Sequence, residues 1–391
     1  MDTSRKITDD LYYIGASDRR LELFENLFPL PRGVSYNSYL LMDEKTVLFD
    51  TVDNAVGHQY FENIKACLGG RPLDYLVVNH MEPDHAAVIE DVVVRYPGVK
   101  IVSNAKTFPM IRQFFDFDFE PYEVKEGDIL DTGRHKLTFV MAPMVHWPET
   151  MVTFDAADGI LFSADAFGTF GAVDGNLFRD EIDFNSAWES EARRYYTNIV
   201  GKYGVQVQSV LKKAAGLDIK MICPLHGPIW RSNMDWLLEK YDLWSRWEPE
   251  TDDVFIAVAS MYGNTEAAAG AVAARLAEKG KRVRVMNICN TDKSFAIAEI
   301  FRARNLVLAA PTYNGGIYPA MEALVLDMKA LQVQNRRVAI IENGTWAPVA
   351  GRQIKAILDT MKNMEVTGTL TVRSSLKKND SVEDLVNGLL K

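Results

Sequence analysis

A chain of 391 residues, 48% hydrophobic and 25% charged, exceeds the usual size of one hydrophobic core, so two globular domains are expected and extensive disorder is excluded. The formal charge of −10 excludes a nucleic-acid surface, which needs concentrated Lys and Arg to release phosphate counterions. Residues 1–10 lack the apolar run of a signal peptide and no stretch reaches about 18 apolar residues, so a cytoplasmic protein is expected.

From Leu11 to about Met221, short β-rich runs (36–42, 46–50, 73–79, 136–142 and 160–163) alternate with helical stretches at uneven intervals, which suggests a mixed sheet covered by helices. Residues 188–200 and 233–247 read as amphipathic helices. Charge and Pro249 then break the pattern at 248–253, so the domain boundary is expected there, giving 1–250 and 251–391. Beyond it the rhythm is regular, with apolar strands at 254–259, 282–286, 305–310, 337–341 and 366–372, each followed by a helical pattern. Five such units predict a doubly wound, five-stranded parallel sheet of flavodoxin-like order, whose ligands sit at strand carboxyl ends.

Cys67, Cys223 and Cys289 are scattered and form no C-x-x-C pair. They read as buried apolar fillers rather than as a disulfide framework or a metal motif. Cys223 draws notice because it precedes His226 by three residues.

His80-x-Glu82-x-Asp84-His85 follows directly on the apolar run 75–79. Four imidazole and carboxylate groups crowded at the end of a buried strand repel and desolvate one another unless a cation turns that cost into coordination. The bland reading is a polar helix cap beginning at Asp84. His146, Asp165 and His226 also fall at strand ends. Each alone reads more readily as a hydrogen-bonded loop residue, but four of the chain's six histidines belong to this set. His58 and His135, without carboxylate companions nearby in sequence, read as surface residues. Seven donors make two sites rather than one, with a carboxylate such as Asp165 placed to bridge. Glu82 hardens the donor set towards non-haem iron, whereas a histidine there would suit zinc.

In the second half, Ser260-Met261-Tyr262-Gly263-Asn264-Thr265 joins the first strand to its helix, where hydroxyls and successive N–H groups can wrap a phosphate. With no lysine it is not a nucleoside-triphosphate loop, and an uncharged cradle fits the terminal phosphate of flavin mononucleotide (FMN). An ordinary capped helix start is the bland alternative. Two further loops leave strand ends on the same face, Pro311-Thr312-Tyr313-Asn314-Gly315-Gly316 and Asn343-Gly344-Thr345-Trp346. Their glycines let N–H groups approach a ring edge, and Trp346 offers a plane for stacking. Tyr313 reads equally well as loop packing.

The ligand run His80-x-Glu82-x-Asp84-His85, with His146, Asp165 and His226 at their intervals, resembles the flavodiiron protein family (A-type flavoproteins), and the likeness covers essentially the whole chain. It implies a metallo-β-lactamase-like αββα sandwich followed by a flavodoxin-like domain. It implies one iron held by His80, Glu82 and His146, a second by Asp84, His85 and His226, and Asp165 between them. In some members the histidine matching His85 stands off the metal. The implied activity is reduction of dioxygen to water or of nitric oxide to nitrous oxide, with electrons relayed through FMN. Tyr195 and Tyr196 are candidate proton donors, each also readable as helix packing.

The resemblance further implies a head-to-tail homodimer, often a homotetramer. Residues up to Lys391 bring no further cysteine pairs, so a member without fused rubredoxin is expected, fed by a separate carrier such as rubredoxin, ferredoxin or a reduced deazaflavin. Residues 19–26, before Pro31-Arg32-Gly33, hold no histidine, although several relatives place one near the diiron pocket there. The choice between the two gases therefore stays open. A dinuclear zinc hydrolase, or a flavodoxin-like electron carrier with a non-catalytic metal domain, are the alternative functions.

Overall fold

The computed structural model describes residues 2–378 and 380–391. The chain forms two compact units, Met1–Tyr196 with Val205–Tyr241, and Thr197–Gly204 with Asp242–Lys391.

The first unit is built on two sheets. The larger has seven strands in the order Arg5–Lys6, Leu11–Tyr13, Tyr39–Met42, Thr46–Phe49, Tyr75–Val77, Lys100–Ser103 and Glu120–Glu123. Its first four strands pair antiparallel and the remainder parallel. The smaller has five, Ile129–Asp131, Lys136–Met141, Met151–Asp155, Ile160–Phe162 and Met221–Cys223, antiparallel except for the last pair. Central strands such as Thr46–Phe49 are buried along their whole length, which explains why they read as continuous apolar runs rather than alternating ones. The sheets meet through aromatic side chains: Phe49 stacks on Phe162 with ring centroids 3.7 Å apart, and Tyr39 packs on the same ring at 5.6 Å. Helices such as Gly57–Leu68 and Ile89–Arg95 cover the sandwich.

The second unit carries a parallel sheet in the order Val283–Asn287, Thr251–Val258, Ala303–Tyr313, Arg336–Asn343 and Met364–Val372. In sequence terms this is 2-1-3-4-5, the flavodoxin-like order. The short strand Gly316–Ile317 turns back antiparallel on Ala303–Tyr313. A core of Val254, Ile256, Val307, Ile341 and Val372 packs under Ala268, Val272 and Leu276 of the helix Asn264–Glu278.

Several expectations need correction. The helix expected over 188–200 is Glu189–Tyr195 followed by a π-helical turn at Tyr196–Val200. Cys289 is exposed in the turn after Val283–Asn287 and Cys67 is half-buried; only Cys223 is a buried filler. His135 is buried, not a surface residue. Its Nδ1 lies 2.8 Å from Asp155 and its Nε2 3.0 Å from Asp10, a partner far away in sequence. His58 is exposed as expected. Among the described residues no helix is long and apolar enough to cross a membrane.

Candidate functional site

All seven expected donors converge at the strand ends of the first unit, in two clusters. The loop after Tyr75–Val77 supplies His80 and Glu82. It is held by the buried Asp50 carboxylate, which accepts the N–H groups of Asn79 at 2.7 Å and His80 at 3.1 Å and the Asn79 amide at 2.8 Å. Burial raises the Asp50 carboxyl to about 6, even though Asn79 and His80 donate to it. Asp84 and His85 sit on the short helix Pro83–Ala86, whose His85 carbonyl accepts both the N–H and the hydroxyl of Thr51 at 2.8 Å.

His146 lies in the loop before Met151–Asp155, Asp165 in the loop after Ile160–Phe162, and His226 just beyond Met221–Cys223. His226 is fixed from behind, its Nδ1 donating to the Ser35 carbonyl at 2.7 Å. Gly227 beside it has φ +75°, and a Cβ there would meet Thr169 Cγ2 at 2.7 Å. Any side chain at that position would push the His226 loop away from its seat.

In the first cluster His146 Nε2 is 2.9 Å from Glu82, 3.0 Å from Asp165 Oδ2 and 3.3 Å from His80 Nε2. In the second, His85 Nε2 is 3.0 Å from His226 Nε2 and 3.3 Å from Asp84, while His226 Nε2 is 3.2 Å from Asp84. Asp165 divides itself between the two: Oδ2 lies 3.2 Å from His80, and Oδ1 lies 3.1 Å from His85 and 3.6 Å from His226.

These spacings test the fit to a metal. Two ligands about 2.0–2.1 Å from one ion, subtending roughly 90–110°, stand about 2.9–3.4 Å apart, which is the spacing seen here. Both Asp84 oxygens and Asp165 Oδ1 are buried without a hydrogen-bond partner among the described residues, an unfavourable state that coordination would relieve. Without metal, the cluster draws protons instead. Burial opposes charge on His146, yet Asp165 and Glu82 lift it to about 9. His85 rises in the same way through Asp84 and Asp165. Burial alone would raise Asp165, but His85, His146 and His80 hold it well below the usual carboxylate range. The site therefore demands positive charge, which two divalent ions can supply.

Aromatic rings wall the cluster. Phe24 and Tyr36 lie 5.3 and 5.9 Å from the His226 ring, and Trp147 lies 5.4 Å from His80. Tyr195 is fully buried with its ring 5.5 Å from His226, and its hydroxyl has no partner among the described residues. Burial and then the Asp165, Asp84 and Glu82 carboxylates push that hydroxyl well above its usual range. Tyr196 instead packs on Tyr241 at 4.9 Å. In the segment that lacks a histidine, Glu25 stands on the turn between Leu23–Phe24 and Phe28–Pro29. Glu25 is exposed to solvent on one side, yet desolvation of its carboxyl on the side that packs towards the pocket, followed by contact with the Glu82 carboxylate, raises it to about 8. A third grouping, Asp10, His135 and Asp158, is tied up in ion pairs, with Arg134 gripping Asp158 at 2.6 and 2.9 Å.

In the second unit, a cavity of about 490 Å³ opens at the strand carboxyl ends. Its lining includes Ser260, Met261, Tyr262, Asn264, Thr265, Pro311, Thr312, Asn314, Gly315, Asn343, Gly344, Thr345 and Trp346. Gly263, Tyr313 and Gly316, also expected, stand beside the lining rather than in it; Tyr313 packs edge-on against Tyr318 at 5.7 Å. Gly263 has φ +85° and its N–H reaches Ser260 Oγ at 3.1 Å, which curls the first loop over the start of the helix Asn264–Glu278. Ser374, missed in the sequence, closes the far wall: its N–H and C=O both bond Asn343 at 3.0 Å, and its hydroxyl meets Thr345 at 2.9 Å. The lining holds no Lys, Arg, Asp or Glu. Such a volume and an uncharged, donor-rich wall suit a flat heteroaromatic ligand carrying a phosphate at a helix N-terminus.

Residues 34–227 match the family model described as ODP family beta lactamase, and residues 256–360 match that of flavodoxin. The anaerobic nitric oxide reductase flavorubredoxin of Klebsiella pneumoniae is 32% identical over 348 residues, 87% of this chain and 72% of that protein. The chain belongs to the flavodiiron family. The flavorubredoxin of Escherichia coli is likewise 32% identical, over 350 residues, 87% of this chain and 72% of that protein. Among solved structures, the rubredoxin:oxygen oxidoreductase of Desulfovibrio gigas superposes with a TM-score of 0.92 at 30% identity, covering 99% of this chain and 97% of that one. The flavodiiron protein of Giardia intestinalis shares the fold, with a TM-score of 0.93 at 24% identity over 99% of this chain and 95% of that one.

Proposed function

We propose that this flavodiiron oxidoreductase reduces dioxygen to water, nitric oxide to nitrous oxide, or both, with residues 1–250 housing the irons and residues 251–391 the FMN. The observation that carries the reading is the division of Asp165 between two three-donor clusters. A single ion cannot use both carboxylate oxygens in this way; two ions side by side can. His80, Glu82 and His146 would hold one iron and Asp84, His85 and His226 the other, with Asp165 available to both. His85 is counted as a ligand because its Nε2 points into the second cluster.

When bound, such irons would supply the redox chemistry for reducing a small diatomic, with FMN as their electron store. The chain's own residues do the rest. Phe24, Tyr36 and Trp147 keep bulk water from the cluster, which strengthens every electrostatic contact inside it. Tyr195 holds its proton at Oη under the influence of the Asp165 and Asp84 charges and is a buried acid from which a reducing site could draw. Glu25 contacts Glu82 from the segment 19–26, in which several relatives place a histidine, so a carboxyl group, not an imidazole, stands at that edge of the pocket.

Loop 260–265 would hold the FMN phosphate, while 311–316 and 343–346 would line the ring, with Trp346 available to stack on it. Electrons arrive from an external carrier such as rubredoxin, ferredoxin or a reduced deazaflavin. The protein works in the cytoplasm as a homodimer or homotetramer.

Stopped-flow mixing of the anaerobically reduced protein with dioxygen, and separately with nitric oxide, tests the activity. Flavin reoxidation far faster than that of free reduced FMN, with nitrous oxide formed in the second case, supports the proposal and ranks the gases. Reoxidation no faster than free flavin with both gases overturns it.

A further inference from the structure

We infer that Glu149 makes the two halves of the metal centre unequal, its carboxylate behind His80 rendering the His80, Glu82, His146 position the tighter of the two. The inference rests on the metal reading given above and adds a positioning residue to it.

An imidazole that binds metal through Nε2 carries its proton on Nδ1, and whatever accepts that proton sets the ring's orientation and basicity. Three rings of this centre differ in what stands behind them. His80 Nδ1 donates to Glu149 Oε1 at 2.9 Å, with Thr150 Oγ1 more distant at 3.4 Å. His226 Nδ1 donates to the Ser35 carbonyl, a neutral acceptor. His85 Nδ1 is buried without a partner among the described residues. Negative charge therefore stands behind the first position, and a carbonyl or nothing behind two ligands of the second.

Glu149 is built for this. Its side chain is 0% exposed, and Oε1 also accepts at 2.9 Å the N–H of Met81, the residue between His80 and Glu82, which pins the oxygen against the ligand loop. Its own carbonyl is held by the Asn104 amide at 2.6 Å. Oε2 has no hydrogen-bond partner among the described residues, so the charge is directed to Oε1, where the His80 ring and the Met81 N–H meet it. Burying an ion in this way is unfavourable unless a nearby cation compensates, and a metal-bound, electron-poor His80 ring is such a partner.

Glu149→Gln separates charge from shape. The amide oxygen can still accept from His80 and Met81, and the NH₂ group falls where Oε2 had no bond to lose. The experiment is anaerobic titration of the FMN-loaded, metal-free protein with Fe(II) against a competing chelator, with the midpoint potentials of the loaded protein as a second readout. The wild type should bind in two steps of unequal affinity. In Glu149→Gln the tighter step should weaken by about 10- to 100-fold while the weaker step and FMN content stay the same. The lower of the two iron potentials should rise.

Glu149→Asp, which keeps the charge at shorter reach, should fall between. Tight binding within about twofold of wild type, or equal weakening of both steps, overturns the inference. Should the glutamine variant fail to fold, anomalous diffraction from wild-type protein loaded with one equivalent of Fe(II) decides. Density at the His80 position supports the inference, and density at the other position, or equal halves, refutes it. A wild type that takes up fewer than two equivalents removes the diiron reading itself, and the inference with it.

Discussion

Asp165→Asn keeps the shape of the spanning side chain and removes its charge. Asp165 gives one oxygen to each cluster, Oδ2 at 3.0–3.2 Å from His146 and His80 and Oδ1 at 3.1–3.6 Å from His85 and His226. An amide can offer only its oxygen, and its nitrogen turns two hydrogens towards a cation. A contact to a charged group is worth about 1.5–3 kcal/mol net, so each position should weaken by roughly 10- to 150-fold, and this is a lower bound where the contact is a metal bond. Glu82→Gln, whose carboxylate meets His80 and His146 of the first cluster, should weaken one position and spare the other. Iron analysis of anaerobically purified protein, with chelator competition and FMN content as control, reads both variants. Loss of both irons in Asp165→Asn against loss of one in Glu82→Gln is expected. An asparagine variant that keeps two irons at wild-type affinity, or that loses only one, refutes the bridging geometry.

Tyr195→Phe removes a buried hydroxyl with no partner among the described residues, so stability should hold or rise by up to about 1–3 kcal/mol in urea unfolding, while turnover falls by about 10²-fold or more if Oη supplies a proton; a destabilised variant with normal turnover would contradict the assigned role. Asn264→Asp would place a charge at the helix start proposed to hold the FMN phosphate, and a unit charge against a dianion separated by about 5 Å in water costs about 1.7 kcal/mol, or roughly fifteen-fold in affinity; fluorescence titration of the flavin-free protein should show it, and unchanged affinity would move the phosphate elsewhere. Burial works against charge on His135, but Asp155 and Asp10 raise it to about 9. A folded value above the unfolded one, about 6.5, means the stabilisation is complete below about pH 6.5 and fades as pH climbs through about 9. Urea midpoints should therefore fall between about pH 6.5 and 9.5 in the wild type by more than in His135→Gln, which starts lower; parallel curves would refute the linkage.

How much of this was legible depended on whether the deciding contacts were local. The run from His80 to His85 announces itself because four donors follow one buried strand, and the structure brings it together with His146, Asp165 and His226, which share that strand-end position. Asp50 stands in the same position after Thr46–Phe49 and could have been found by the same rule. Glu149 could not: a lone carboxylate three residues past His146 carries no periodicity, and its meaning arises only when Met81 and His80 approach it in space. His135 misled for the same reason, since it follows a polar turn and its partner Asp10 comes from a remote strand end. In the second unit the central strands Thr251–Val258, Ala303–Tyr313 and Arg336–Asn343 were readable because strands buried on both faces are apolar along most of their length. The more exposed edge strands Val283–Asn287 and Met364–Val372 were readable from their regular alternation with helical patterns. The short pairs Ala16–Asp18 with Val34–Tyr36 and Leu23–Phe24 with Phe28–Pro29 were not, being too brief to show alternation. The split at Tyr196 escaped notice because a π-helical turn keeps nearly the same apolar pattern as the helix it interrupts.

Metal and flavin content of the anaerobically purified protein tests the central claim most directly. Two irons and one FMN per chain are expected, with the iron lost in parallel from both clusters only when Asp165 is changed. Two zinc ions per chain without gas-dependent reoxidation would contradict the account and favour a hydrolase, and one FMN with empty metal positions would reduce the protein to an electron carrier.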